Sequence, residues 1–124
     1  MNLKDFNFSR IETISENHYL GVMTIGDYAS LIKGVECDND FVINLAELKA
    51  KEYNDDTETN SVFITPINLF LTENGLVLFD NFSTIMILNL EERFMTNKLV
   101  VIVYVVNSEK DAKKIHMQLL NEKR

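Results

Sequence analysis

Leu99-Val100-Val101-Ile102-Val103-Tyr104-Val105-Val106 is the longest apolar run in the chain. Eight β-prone side chains unbroken by polar alternation are what a central strand covered on both faces requires, so the segment predicts the middle of a sheet flanked by helices. It is also far too short to cross a bilayer. Immediately after it, Ser108 with Asp111 three residues on predicts the N-terminus of a last helix, with Ala112, Ile115 and Leu119 on its inner face and Lys113 and Lys114 outside.

Upstream, Ser83 is expected to cap a helix carrying Ile85, Met86, Ile87, Leu88, Leu90 and Phe94, apolar nearly all round and therefore buried against more than one neighbour. Before that the period is two. Val62 to Thr72 and Leu76 to Phe79 predict strands joined by the hairpin turn Glu73-Asn74-Gly75, and Pro66 places the first strand at an edge, at a bulge, or with its start at Ile67. Nearer the N-terminus, His18 to Met23 predicts a strand. Thr24 and Asp27 cap a helix with Ile25, Tyr28, Leu31 and Ile32 at helical spacing, which Gly34 ends. Asn44 and Glu47 signal a second helix through Leu45, Leu48 and Ala50 to about Tyr53. The order β-α-α-β-β-α-β-α predicts a single α/β (α+β) domain over residues 18–124 with a mixed sheet. Residues 1–17, with scattered Phe6, Phe8, Ile11 and Ile14, are expected to be an N-terminal arm packed by those four side chains. Asn54 to Asn60 is expected to be a loop within the domain.

A chain of 124 residues that is 46% hydrophobic and 25% charged makes one domain with a core large enough to need no disulfide or metal. Cys37 is the single cysteine, and Met1 to Arg10 lacks the apolar core of a signal peptide, so the expected setting is a reducing cytoplasm without membrane contact. The net charge of −7 is unevenly spread: residues 1–90 carry net −9 and residues 91–124 net +2. That balance argues against wholesale wrapping of nucleic acid and makes DNA the less favoured partner. A candidate basic patch remains at Lys110, Lys113, Lys114 and Lys123, whose bland reading is a solvated helix face with cations near its C-terminus. A candidate partner surface lies in the acids Glu36, Asp38, Asp40, Asp55, Asp56 and Glu58.

Catalytic signals are sparse. His18 and His116 are the only histidines and lie far apart in sequence; Asp38 and Asp40 beside Cys37 disfavour a thiolate; the acids near it lack the glycine turn and distal glutamate of an EF-hand. No metal, cofactor or catalytic residue is expected. One place joins element order with residue type: a strand ending in Asp80 and leading through Asn81, Phe82, Ser83 and Thr84 into a helix, which points backbone N–H groups at a candidate anion or ligand site formed by Asp80, Asn81, Ser83 and Thr84. The competing reading is that these side chains merely cap the turn and the helix.

Tyr19-Leu-Gly-Val-Met-Thr-Ile-Gly-Asp-Tyr28, Thr65-Pro-Ile67, Gly75 to Asp80, Ile85 to Phe94, Val100 to Val105 and Asp111-Ala112 through Asn121 follow one another as in a known family. In them the chain resembles the ParB/sulfiredoxin-like superfamily, and within it the D-G-Q-H-R proteins related to DndB of DNA phosphorothioation systems. The resemblance covers about residues 18–121 and implies that fold, with a link to DNA modification, defence or a mobile element. Of the signature itself only Asp80 matches: Asn81 stands for Gly, Phe82 for Gln, Ser83 for His and Thr84 for Arg. Losing His and Arg removes the cationic half of a phosphate site. The expectation is therefore a non-catalytic binding or regulatory module with a protein partner. The alternative is a nucleotide-binding enzyme or DNA-binding regulator. The apolar residues of the first 17 positions are equally open to a homodimer contact.

Overall fold

A computed structural model describes residues 3–35, 37–56 and 66–122. Its centre is the predicted strand, β5 (Lys98–Val105), which pairs antiparallel with β2 (His18–Thr24) and parallel with β3 (Ile67–Thr72). β1 (Arg10–Ser15) and β4 (Gly75–Val77) complete a five-stranded mixed sheet of order β1-β2-β5-β3-β4. With α1 (Ile25–Ile32), α2 (Asp40–Asp55), α3 (Asn81–Leu88) and α4 (Glu109–Glu122) this is a single mixed α/β domain. The stretch expected as an arm contributes β1 to the sheet, so one strand is added to the predicted order. Of its four apolar side chains Phe6 is buried and stacks on Phe8 at 5.3 Å, whereas Ile11 and Ile14 are exposed. Phe8 lies so close over β2 that a Cβ at Gly21 would meet its ring at 2.3 Å, which is why that strand position carries no side chain.

One face of the sheet holds the core. Leu99, Val101 and Val103 of β5 and Ile67, Leu69 and Leu71 of β3 pack against Ile25, Tyr28 and Ile32 of α1, Ala46 and Ala50 of α2, and Met86 and Ile87 of α3. Each of the larger aliphatic side chains among them contributes about 1.5–3 kcal/mol relative to exposure. The opposite face meets α4, and there Val100, Ile102 and Tyr104 are only half-buried, so β5 is covered less on this side than its sequence predicts.

The helix ends differ from expectation at α2 and α3. Asn39, not Asn44, caps α2, its Oδ1 accepting from Val42 N at 3.2 Å. The inner face is formed by the small Ala46 and Ala50, while Leu45 and Leu48 point outward. Asn54 and Asp55, read as loop, extend this helix; residues 57–60, like the strand start expected at 62–65, lie outside the described residues. Asp80, not Ser83, caps α3, which stops at Leu88 because Asn89 leaves the helix and donates its Nδ2 to Ile85 O at 2.8 Å. Phe94 sits in a separate short turn, Glu92–Phe94. Elsewhere the predicted caps hold: Thr24 Oγ1 accepts from Asp27 N at 3.1 Å, Ser108 Oγ from Asp111 N at 3.2 Å, and Gly34 (φ 93°) and Gly75 (φ 121°) take the left-handed conformations their turns need.

Candidate functional site

At the Asp80 turn two of the candidate side chains, Asp80 and Thr84, already bond within the protein. Asp80 Oδ1 accepts from Ser83 N at 3.0 Å, and the Thr84 hydroxyl donates to Asp80 O at 2.9 Å. Ser83 and Thr84 are buried, 8% and 1% exposed, so neither hydroxyl faces outward. A carboxylate on the helix N-terminus fills the place an anion would take and repels one. The structure thus brings Asp80, Ser83 and Thr84 together as a cap, with Asn81 half-buried beside them.

Behind this turn lies Tyr28, fully buried, whose hydroxyl has no well-formed hydrogen bond among the described residues. Burial pushes its pKa well above the ordinary tyrosine range; the neighbouring Thr84 hydroxyl offsets a little of this, and the Asp80 charge adds to it. Unfolded tyrosine titrates near pH 10, so above about pH 10 the unfolded state loses a proton that the folded state keeps. Tyr28 therefore lends stability that is present below that pH and falls above it, by up to about 1.4 kcal/mol per pH unit. Tyr28→Phe is expected to remove the Tyr28 share of that slope and, by deleting a buried hydroxyl that has only a poorly formed contact with Thr84, to stabilise the fold by about 1 kcal/mol at neutral pH. Urea denaturation at about pH 8 and about pH 11 measures both, and an unchanged slope would count against the assignment.

The two histidines belong to one aromatic ladder on the second face of the sheet. His18 stacks on Tyr104 (4.3 Å), Tyr104 on Phe70 (5.2 Å), Phe70 meets Phe79 edge-on (5.3 Å), and Phe79 stacks on His116 (4.4 Å). Three aromatic rings thus lie between the histidines along the ladder. Burial first, and the Glu122 carboxylate second, raise the pKa of the hydroxyl of Tyr104, the ring next to His18. At the carboxyl ends of β3 and β5, where open α/β sheets take ligands, a cavity of about 420 Å³ is bordered by Tyr19, Leu71, Thr72, Val105 and Val106. Its Thr72 hydroxyl is already engaged, donating to Gly75 O and accepting from Asn74 N. Among the described residues no three of His, Cys, Asp and Glu cluster closely enough to hold a metal ion, and no helix is long and apolar enough to cross a membrane.

The acidic candidates do not form one surface. Asp38 and Asp40 stand at the start of α2, Asp55 and Asp56 at its end, about 22 Å apart at 1.5 Å per residue. Lys110, Lys113 and Lys114 share an exposed face of α4 with Met117, interrupted by Asp111. Glu36, Glu58 and Lys123 lie outside the described residues. Between the two acidic ends of α2 runs a ridge of which the sequence pattern marks only Leu45 and Leu48, as apolar positions of a helix: Phe41, Leu45 and Leu48, at i, i+4 and i+7, are 72%, 42% and 56% exposed. The signal that could have found it is the competing face Ala46-x-x-x-Ala50, whose small side chains let α2 approach α3 closely.

Comparison of this chain with protein-family models, with curated proteins and with solved structures finds no match.

Proposed function

We propose that this chain is a non-catalytic binding module that docks a protein partner through the outer face of α2. The observation that carries the reading is the exposed ridge Phe41, Leu45 and Leu48, with Asp38 and Asp40 at one end and Asp55 and Asp56 at the other. Such a ridge fits an apolar groove, and the paired carboxylates fit a groove with basic groups at both ends. The self-capped Asp80 turn supports the same reading, because Asp80 Oδ1 and the Thr84 hydroxyl are engaged within the protein. The sequence resembles the D-G-Q-H-R type with its cationic groups replaced, which agrees with recognition in place of chemistry.

Affinity capture with the wild-type chain, with Phe41→Asp/Leu48→Asp, and with Asp55→Lys/Asp56→Lys tests this. A partner held by the wild type, lost at least tenfold from the first variant and weakened by the second and by salt is the expected result. Nucleotide binding by calorimetry that disappears in Asp80→Ala would overturn it. So would a mobility shift of duplex DNA that falls steeply with salt and is lost in Lys113→Glu/Lys114→Glu.

A further inference from the structure

β1 is an open edge. All six of its residues are exposed, it contains no proline, and among the described residues no strand pairs with the N–H and C=O groups of its outer side. The other edge of the sheet, β4, is only three residues long, and short edges resist pairing. On β1, Arg10 and Glu12 share a face and flank Ile11, which is 44% exposed; the two charged side chains already lie within ion-pair distance of each other. The sequence Arg10-Ile11-Glu12 is therefore self-complementary when read against itself in the opposite direction.

From this we infer that two copies of the chain pair edge to edge through β1, antiparallel about a two-fold axis through Ile11, making one continuous ten-stranded sheet. The register is dictated by geometry. Directly opposed residues of an antiparallel pair share a face, and a two-fold axis perpendicular to the sheet preserves faces, so the axis passes through a residue. With Ile11 on the axis, Ile11 meets Ile11, and Arg10 of each copy faces Glu12 of the other. A shift of one residue either way sets Glu12 against Glu12 or Arg10 against Arg10, and like charges directly opposed are destabilising. The contact is isologous and closes at two copies. It uses the edge of the sheet and leaves the α2 ridge free, so it stands independently of the partner reading above.

Sedimentation of the full chain over a concentration series is the test, with charge reversal as the discriminating arm. Arg10→Glu and Glu12→Arg alone each convert two facing ion pairs into like-charge pairs and are expected to weaken dimerisation about tenfold. The double variant Arg10→Glu/Glu12→Arg keeps the complementarity and is expected to restore it. Circular dichroism checks that each variant is folded, which their exposure favours. Ile11→Cys in a Cys37→Ser background places two thiols directly opposite and is expected to cross-link under mild oxidation. A wild-type chain that stays monomeric throughout the series overturns the inference, as does a dimer whose loss on single reversal is not recovered in the double variant.

Discussion

Phe94→Ala is expected to cost about 3–5 kcal/mol, the largest loss from any single truncation considered for this fold. Phe94 is completely buried although it lies in a three-residue turn between α3 and β5. The residues just after it also serve the neighbouring helix, since Met95 O accepts from Gly26 N at 2.9 Å and Asn97 O from Ile25 N at 2.8 Å, which satisfies two donors at the start of α1. Removing the ring leaves a cavity and loosens the segment that supplies those acceptors. Urea denaturation should show a lower midpoint at unchanged slope. Phe41→Ala is the matched control, because its ring is mostly in solvent and its loss should change stability by about 0.5 kcal/mol or less. Equal effects at the two positions would refute the placement of Phe94.

The next largest effect is expected at Arg93. Its Nη2 donates to Tyr53 O (3.2 Å), Asn54 O (2.8 Å) and Asp56 O (2.9 Å), carbonyls at the end of α2, while Nε donates to Glu91 Oε2 at 3.1 Å. The Asn54 side chain answers from the other side, donating to Asn89 O and accepting from Glu91 N. Arg93→Ala removes charge-assisted bonds to carbonyls at the helix end, of which Tyr53 O keeps its bond from Asp56 N, and the side chain is 34% exposed, so water replaces part of what is lost. The net cost is about 1–2 kcal/mol, with amide exchange at the end of α2 accelerated. Arg93→Lys keeps a positive charge at the helix C-terminus without the planar fork and is expected to recover less than half. Exchange at residues 53–56 unaffected by either change would argue that the clamp does not hold the helix.

What could be read in advance depended on whether the signal was local. β5 announced itself as an unbroken apolar run, the β3–β4 turn through Gly75, and α1 and α4 through their caps. β1 was illegible because an edge strand with every side chain in solvent has no inside-outside alternation to display. α2 misled for the opposite reason: its largest apolar side chains are outside and its packed face is alanine. Capping without a ligand was one of the two readings the sequence left open, with the helix cap placed at Ser83 and not at Asp80, since one residue pattern serves both a capped helix and an anion site; only the hydrogen bonds of Ser83 and Thr84 distinguish them. The Arg93 clamp joins residues about forty positions apart, and the ladder from His18 to His116 nearly a hundred; no window along the chain contains either.

The pairing of β2 with β5 has a consequence for how the chain is born. His18–Thr24 must find Lys98–Val105, so the N-terminal hairpin is made long before its partner strand exists. At about 5–20 residues per second a ribosome needs on the order of 4–15 s to cover the interval. Throughout that time β1 and β2 form at most an isolated two-stranded ribbon, which is marginal in water, with both of its edges open. Nascent chains in this window expose one strand edge more than the finished fold does, and arrival of β5 covers it by pairing with β2 at the centre of the sheet.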